Sequence, residues 1–333
     1  MPRFASLDVG SNTVRLLIAE PHPDLTIRTL RRERILTRLG GAFTTAQRLD
    51  EASMERTIEA LQSFGGLLRR EKVEKVFAAG TGVLREARNG LAFLERVQER
   101  TGLRLRLLTG EEEALLMLRG VLSSLRDPDS PHLVTDVGGW STEVLWVEKG
   151  ETIRTASLGL GAVALSEKFI SHDPPVASEL EALNEYIRFP LRELCRRWEK
   201  EGGRVENLHP RLVGTAGTAT TLAAIDLTLS AYDPQKINGH LISLLGLEEI
   251  SRRLQSLPLG ERRKIAGLEK GREDLIVAGS AILLNLLKIF ERSALEVIDS
   301  GLLEGILMEG MDRMRNSECG MENEKKRGAW SRE

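Results

Sequence analysis

Two short segments of the chain, each opening on an Asp-Val-Gly turn, contain the residue types that handle phosphate groups. Asp8 begins the first turn and Asp136 begins the second. Glycines in such a turn permit positive φ and let a ligand approach the backbone, so that outward-pointing N–H groups can bind an anion. The carboxylate at the start of each turn can hold a divalent cation. Two such turns facing one another across a cleft would suit a chain of linked phosphates.

The two segments form an internal repeat. SLDVGSNTVRLLIAE, residues 6–20, aligns without a gap with VTDVGGWSTEVLWVE, residues 134–148. Asp, Val, Gly, a Leu and the final Glu coincide, as does the apolar run after the turn. Either turn alone could be an ordinary hairpin turn, in which Asp and Gly are common. Two copies in register predict a duplicated unit with a cleft between its halves.

The secondary structure predicted around these turns also repeats. Apolar patterns predict strands before and after each turn, and apolar residues at helical spacing predict a helix over Leu49–Glu71 with Asp50 as its cap. A helix over Glu111–Leu125 is predicted with Leu115, Leu118 and Leu122 on one side. The other predicted elements are strands at 73–79, 103–108, 151–157, 211–214 and 295–298, and helices at 84–100, 160–170, 176–200 and from 218 onward. Strands followed by strand–helix units, occurring twice, indicate an α/β fold.

A Pro, Asp and Ser turn cluster at 127–131 separates the two copies and predicts a domain boundary. We expect a first domain over 1–125 and a second over 126–301. A closing helix is expected at about 302–315, and one arrangement open to it is to pack back on the first domain. The polar end of the chain, 316–333, is predicted to be a disordered tail.

Composition excludes several functional classes. The 333 residues include 47 Lys and Arg against 49 Asp and Glu, a net charge of −2, which argues against a nucleic-acid binder. Two cysteines without metal-ligand spacing, and five histidines without a paired spacing, give no zinc site or disulfide framework and fit a reducing cytoplasm. The longest apolar stretch, Leu275–Phe290, is too short and too polar to span a bilayer, and we expect a buried helix there. No targeting segment is predicted at the N-terminus.

Five further motifs follow in a fixed order: AAGTGVLREARNG (78–90), TGEEEA (109–114), LVGTAGTATTLAAI (212–225), GREDLIVAGSAIL (271–283) and VIDSGLLEGIL (297–307). Together with the two Asp-Val-Gly segments, they resemble the exopolyphosphatase/guanosine pentaphosphate phosphatase (Ppx/GppA) family. This family lies within the acetate kinase–sugar kinase–Hsp70–actin superfamily. The resemblance implies two ribonuclease H-like, actin-like domains with a cleft between them. It matches the short form of the family, without the extra C-terminal helical domain of longer members.

The resemblance also implies roles for individual residues. It makes Glu113 the general base and Glu143 a second catalytic carboxylate, and it assigns Asp8, Asp136 and Glu143 to Mg²⁺ or Mn²⁺. The residues implied to bind phosphate are Gly10, Ser11, Asn12, Arg85, Gly138, Gly139, Ser141, Thr215, Gly217 and Thr218. Simpler interpretations stand beside three of these. Glu113 can be a helix-capping acid, Glu143 can lie on a solvated strand face, and Arg85 can be a surface arginine.

Two departures from the family pattern bear on activity. Trp140 replaces a third glycine in the second loop, which would cost about 1–2 kcal/mol if that position needs positive φ. Leu115 replaces an arginine that commonly neutralises phosphate. The function implied is metal-dependent hydrolysis of the terminal phosphoanhydride of polyphosphate, with 5′-phosphate removal from guanosine pentaphosphate (pppGpp) as the alternative. A non-catalytic phosphate or nucleotide sensor is a second alternative, and no signature of a kinase pocket is present. A homodimer remains an option, and no nucleic-acid or membrane partner is expected.

Overall fold

Two mixed β-sheets, one from each half of the chain, form the framework of the protein. The computed structural model describes residues 1–22, 27–41, 43, 47–201 and 210–330, with side chains as far as Asn316. The first sheet comprises β1 (Phe4–Val9), β2 (Thr13–Pro21), β3 (Ile27–Leu36), β4 (Lys75–Gly80) and β5 (Arg106–Leu107). The second comprises β6 (His132–Val137), β7 (Thr142–Glu148), β8 (Glu151–Leu158), β9 (Arg211–Thr215), β10 (His240–Ser243) and β11 (Ala294–Val297).

The two sheets share one topology, which confirms the predicted duplication and the α/β class. The first has the order β3-β2-β1-β4-β5, with β1–β3 antiparallel and β4 and β5 parallel to β1. The second repeats this as β8-β7-β6-β9-β11, with β10 added antiparallel at its edge. In both sheets the Asp-Val-Gly turn joins the first two antiparallel strands. It therefore lies at the carboxyl end of β1 or β6, where ligands bind in α/β folds.

The helices cover the faces of these sheets. They are α1 (Glu51–Arg70), α2 (Val83–Glu86), α3 (Gly90–Thr101), α4 (Gly110–Leu122), α5 (Ala162–Phe169), α6 (Ala177–Lys200), α7 (Ala216–Asp226), α8 (Pro234–Ile237), α9 (Leu244–Ser256), α10 (Leu259–Arg262), α11 (Ile276–Ile289) and α12 (Leu302–Trp330). Asp50 caps α1 as predicted, because its side chain accepts the N–H of Ser53 at 3.0 Å. The predicted buried helix is α11, most of whose residues lie in the core of the second half. Within the described ranges, every helix is too short or too polar to span a membrane.

The predicted helix over 84–100 is wrong as a single element, because α2 and α3 are separate. Asn89 lies between them, and its side-chain amide both donates to and accepts from the backbone of Leu49. Gly90 then passes so close to the carbonyl of Leu84 that a Cβ there would lie 2.4 Å from its oxygen. These two contacts turn the chain between the helices.

Two strands, β3 and β10, have no counterpart in the sequence prediction. β3 carries four arginines among its ten residues and is only partly buried, so it lacks the apolar alternation by which a strand is predicted. β10 has only four residues. The predicted strand at 103–108 is reduced to Arg106–Leu107. The expected leucine face of α4 is also wrong at one position, because Leu115 is 49% exposed.

The closing helix α12 packs on the first sheet. Leu303, Leu307 and Met311 form one apolar cluster with Phe4 and Leu17. A Cβ on Gly305 would lie 1.8 Å from the carbonyl oxygen of Leu116, so glycine is needed where α12 crosses α4. The predicted domain limits stay a prediction. The backbone of α12 continues into the predicted tail as far as Trp330, whereas residues 331–333 lie outside the described residues.

Candidate active site

The two Asp-Val-Gly turns face one another across a cavity of about 100 Å³. A Cβ on Gly139 would lie 3.4 Å from the Cβ of Ser11, so the turns are in near contact. Each turn is closed by the same backbone bond, from Gly10 N–H to Thr13 O at 3.0 Å and from Gly138 N–H to Ser141 O at 2.9 Å. The backbone N–H groups of the two residues inside each turn, 11–12 and 139–140, have no acceptor among the described residues. The paired turns thus present unused donors to one space.

Helix α5 supports the second turn from behind. The N–H groups of Ala162 and Val163 donate to the carbonyl oxygens of Gly138 and Gly139, each at 2.9 Å. The first turn is held differently, because the hydroxyl of Ser11 accepts the N–H of Val83 at 3.1 Å, at the start of α2. Both turns are therefore attached to rigid helices before any ligand arrives.

Asp8, in the first turn, is neutralised inside the protein. Arg15 lies opposite it in the β1–β2 register and donates to its carboxylate from Nε at 2.9 Å and from Nη2 at 2.6 Å. The hydroxyl of Thr81 donates to the other carboxylate oxygen at 3.1 Å. Burial opposes the charge on Arg15, yet Asp8 and Asp136 together raise its pKa. Asp8 is consequently a structural counter-ion with little free capacity.

Asp136, in the second turn, has the opposite environment. Its partner in the β6–β7 register is Glu143, another carboxylate. Burial, followed by repulsion from Glu143, raises the pKa of Asp136 to about 8. The pKa of Glu143 is also raised by burial, although Ser141 and Ser157 donate hydrogen bonds to it. Two carboxyl groups, neither in an ion pair with an arginine among the described residues, therefore line the cavity side by side.

Glu113 approaches the same cavity from the start of α4. Burial, then repulsion from Glu143 and Asp8, raises its pKa to about 7. Arg85 donates to its carboxylate at 3.1 Å and to the carbonyl of Leu108 at 3.0 Å, and so fixes the direction in which Glu113 points. Its neighbour Glu112 is different, because it caps α4 in a reciprocal capping box with Thr109. The acidic run thus contains one capping residue, Glu112, and one carboxyl, that of Glu113, that can exchange a proton near neutral pH.

Three arginines that were not predicted as site residues line the cavity: Arg15, Arg34 and Arg272. Arg34 lies on β3 and Arg272 lies in the loop before α11. The carboxylate of Glu269 pairs with both, at 2.5 Å from Nη2 of Arg34 and at 2.6 Å from Nε of Arg272. Burial and the repulsion of Arg272 lower the pKa of Arg34. Arg15 could have been found from its position opposite Asp8 in the hairpin. Arg34 lies on the strand that the sequence did not reveal.

Comparison with known proteins identifies the family. Residues 17–314 match the Ppx/GppA phosphatase family. The chain belongs to this family. The exopolyphosphatase 2 of Mycobacterium tuberculosis is 30% identical over 320 residues, which cover 92% of this chain and 98% of that protein. A solved Ppx/GppA structure from Aquifex aeolicus is 33% identical, with a TM-score of 0.75, and covers 94% of this chain and 98% of that chain.

A second group of Ppx/GppA relatives is longer than this chain. The guanosine-5′-triphosphate,3′-diphosphate pyrophosphatase of Vibrio vulnificus is 26% identical over 317 residues. The match covers 95% of this chain but 61% of that enzyme. The fold of the Ppx/GppA family is therefore present here over nearly the full length of the shorter relatives.

Most of the residues that the Ppx/GppA resemblance implied are brought together in the structure. The predicted residues that line the cavity are Asp8, Gly10, Ser11, Asn12, Glu113, Asp136, Gly138, Gly139, Ser141, Glu143, Gly217 and Thr218. Arg85 is not among them, since it lies behind Glu113. Thr215 is also outside, because its buried hydroxyl donates to the carbonyl of Ser300 at 2.9 Å. Thr218 lines the cavity, although its hydroxyl donates to the carbonyl of Val137 at 3.0 Å.

Gly217 has a different use from the one expected. A Cβ there would lie 1.9 Å from Nη2 of Arg272, so the missing side chain makes room for that guanidinium. The preceding residue, Ala216, has a φ of 61°, a strained conformation for a residue with a side chain. The start of α7 therefore places an arginine beside the cavity.

Trp140 fits the second turn without the backbone strain that the sequence suggested. It is not among the described residues with positive φ. Its indole packs edge-to-face on Phe43, with ring centroids 5.1 Å apart, and a Cβ on Gly40 would lie 2.4 Å from its Nε1. Trp140 thus joins the second turn to the first half of the molecule. Leu115, the other departure, lies exposed on α4 and does not line the cavity.

The oxygen ligands of the cavity fit a divalent cation of the Mg²⁺ type. Burial and the charge of Glu143 raise the pKa of Asp136, and a bound cation would relieve this repulsion. No group of three or more acidic, His or Cys residues in the described part of the chain is arranged to hold a metal ion alone. Mg²⁺ is commonly bound by one or two carboxylates together with substrate phosphates and water. Asp8 is the least suited of the three predicted ligands, because Arg15 occupies it.

Proposed function

We propose that the protein is an exopolyphosphatase, which hydrolyses the terminal phosphoanhydride of polyphosphate and releases phosphate. The observation that carries this proposal is the position of Glu113. A carboxyl with a pKa of about 7 lies in one cavity with two glycine turns whose N–H groups are unused. A base poised near neutral pH and a preformed anion site are the two requirements for activating water beside a phosphorus atom.

In this proposal Glu113 accepts a proton from the attacking water. The bond from the water oxygen to the terminal phosphorus forms as the bond from phosphorus to the bridging oxygen breaks. The shortened chain leaves with the electron pair of that bond. Arg85 holds Glu113 in position, as its contacts with the carboxylate and with Leu108 indicate. The N–H groups of both turns bind the phosphate oxygens, and Arg34 and Arg272 neutralise negative charge from the side.

Asp136 and Glu143 would hold the Mg²⁺ or Mn²⁺ in this site. When bound, the cation supplies positive charge at the phosphate oxygens and at developing negative charge. The two carboxyl groups are available to a cation because neither is paired with an arginine in the part of the chain that the structure describes, whereas Asp8 is paired with Arg15. Ser157 and Ser141 orient the carboxylate of Glu143.

Polyphosphate is favoured over pppGpp as substrate by the pattern of relatives. The exopolyphosphatase relative matches over nearly its entire length, whereas the pyrophosphatase relative contains a large part outside the match. A purely binding role is disfavoured, because a buried carboxyl with a neutral pKa is costly and is typical of catalytic sites. The proposal places the enzyme in the cytoplasm and includes the domain limits 1–125 and 126–301.

Phosphate release from polyphosphate and from pppGpp, measured in parallel with Mg²⁺, tests the proposal. We expect a higher kcat/KM for polyphosphate, and loss of activity with a chelator that returns when Mg²⁺ is added. Preferential release of phosphate from pppGpp would show that pppGpp, and not polyphosphate, is the preferred substrate. Binding of either compound without any phosphate release would show a sensor.

A further inference from the structure

Trp140, in the second turn, reaches from its own half of the molecule into the other. Its backbone belongs to the second half, where a Cβ on Gly161, just before α5, would lie 2.2 Å from the Cα of Trp140. Its indole packs against the core of the first half, edge-to-face on Phe43 with ring centroids 5.1 Å apart. This one residue therefore bridges the cleft between the two turns.

The place that receives the indole is built beside the first turn. Gly40 is in close contact with the ring, since a Cβ there would lie 2.4 Å from Nε1 of Trp140 and 3.2 Å from the Cβ of Ser11. The N–H of Gly40 donates to the carbonyl oxygen of Ser11 at 2.7 Å, and Phe43 is only 4% exposed. The indole thus rests on backbone that is hydrogen-bonded directly to the first turn.

Trp140 also belongs to the anion site through its backbone. Its N–H is one of the donors of the two turns that have no acceptor among the described residues. Donors from two separate turns can bind one phosphate group only at a matching separation. If that separation is set in advance, the ligand spends no binding energy on ordering the site. The side chain of Trp140 sets it for its own N–H, because the indole is anchored to the first half.

The contact of the indole with the first half is apolar. Nε1 of Trp140 is buried and has no hydrogen-bond partner among the described residues, although a buried indole N–H usually finds one. Ion pairs also join the two halves, as Arg38 does with Asp274 at 2.9 Å, but on partly exposed surface such pairs contribute little. The packing of the indole is therefore the stronger constraint on the separation of the turns.

We propose that Trp140 is a positioning residue, which clamps the two Asp-Val-Gly turns at the separation at which both bind the substrate. This inference rests on the proposed function. Without the clamp the turns spend part of the time apart, and the apparent affinity falls with the fraction of molecules in which they are together. Turnover of the bound enzyme changes little, because the bound substrate has already restored the arrangement. Loss of the clamp should therefore raise KM and leave kcat unchanged.

Two variants disturb the clamp from opposite sides of the cleft. Trp140→Ala removes the indole, and Gly40→Ala places a methyl group against Nε1. Each should raise KM for polyphosphate by about tenfold, the upper range for the loss of one aromatic contact, with kcat within about twofold of the wild type. Trp140→Phe should restore most of the affinity, since a phenyl ring can still pack on Phe43.

Two further variants serve as controls. The double variant Gly40→Ala/Trp140→Ala should have the KM of Trp140→Ala alone, because the added methyl group then has no indole to displace. The matched control for the glycine change is Gly66→Ala on α1, where a Cβ would meet no atom within 4 Å. Its KM should equal that of the wild type.

An unchanged KM in Trp140→Ala and Gly40→Ala, or a fall in kcat alone, would overturn the inference, because loss of folded enzyme lowers kcat without raising KM. Gly40→Ala keeps both aromatic rings and decides the question if Trp140→Ala does not fold. An equal rise in KM in Gly66→Ala would also overturn it. A loss of affinity confined to pppGpp would show that Trp140 stacks on a base and is not a clamp.

Failure of the proposed function is distinguishable from failure of the clamp. If the wild-type enzyme releases no phosphate from polyphosphate, the proposed function fails. The Kd of tripolyphosphate for the wild type, Trp140→Ala and Gly40→Ala then tests the clamp directly. A tenfold weaker Kd in both variants supports it, and equal Kd values reject it.

Discussion

The first and second Asp-Val-Gly turns are copies of one hairpin with opposite electrostatics. Asp8 faces Arg15 in the first, and Asp136 faces Glu143 in the second, at equivalent register positions. One carboxylate is therefore neutralised by a guanidinium, whereas the other is repelled by a neighbouring carboxyl. The backbone forms the same turn twice, and the side chain opposite the Asp on the following strand differs in charge between the two copies.

This division leaves the charge of one Asp balanced and that of the other repelled. The Arg15–Asp8 pair gives each charge a partner inside the protein. The pKa of Asp136 and the pKa of Glu113 are raised instead, to about 8 and about 7, because burial and like charge disfavour ionisation. The second turn and Glu113 thus form a region in which ionisation is disfavoured, and in the proposed function a bound cation would offset this cost.

The largest effect is expected at the base. Glu113→Gln keeps the size of the side chain and removes the proton acceptor, so turnover should fall by about 10²–10⁴-fold while KM changes little. Steady-state phosphate release measures this, with Glu111→Gln, an exposed residue in the same helical turn, as control. Near-normal turnover of Glu113→Gln together with an inactive Glu143→Gln would transfer the base role to Glu143.

The first turn should respond chiefly in stability. Arg15→Gln leaves Asp8 buried without its counter-ion, which should lower the free energy of unfolding by about 3 kcal/mol. Denaturant titration measures this at neutral pH. Glu143→Gln, the equivalent change in the second turn, relieves repulsion and should stabilise the metal-free protein. If both variants lose stability equally, the electrostatic contrast between the turns is wrong.

The second turn should respond in metal requirement. Asp136→Asn should raise the Mg²⁺ concentration for half-maximal activity by at least about tenfold. Loss of a residue that only orients a metal ligand weakens metal binding by about 10–100-fold, and loss of the ligand itself should weaken it no less. Asp8→Asn is the matched change in the first turn, and its Mg²⁺ requirement should stay close to that of the wild type. The same requirement in both variants would mean that the two turns share the cation.

The smallest effect concerns pH. Activity should rise through pH about 7, as Glu113 loses its proton, and Glu113→Gln should remove this inflexion from the residual activity. Stability of the metal-free protein should move the other way. The pKa of Glu113 is higher in the folded state than its ordinary value of 4.5, so the folded state holds the extra proton, and stability falls as pH rises from that value through about 7. Thermal unfolding at several pH values, with and without Mg²⁺, checks this opposition.

Much of the fold was predictable from local pattern. The repeated hairpins, α1 with its Asp50 cap and the buried helix α11 follow from apolar periodicity and turn residues. β3 was not predictable in this way, because its arginines replace the alternation of a half-buried strand. Two of them, Arg32 and Arg34, pair with carboxylates of the second half, as Arg34 does with Glu269 at 2.5 Å. Such pairings depend on partners more than two hundred residues away.

The sequence by itself determined the two turns, their carboxylates and Glu113, since a turn depends on a few adjacent residues and the family motifs are contiguous. Only the tertiary structure decided what each carboxylate does. Burial, the approach of Thr81 to Asp8 and the arrival of Arg34 and Arg272 at the cavity come from separate segments. A pKa responds to the solvent that is excluded and to every charge nearby, and both are set by how the chain folds back on itself.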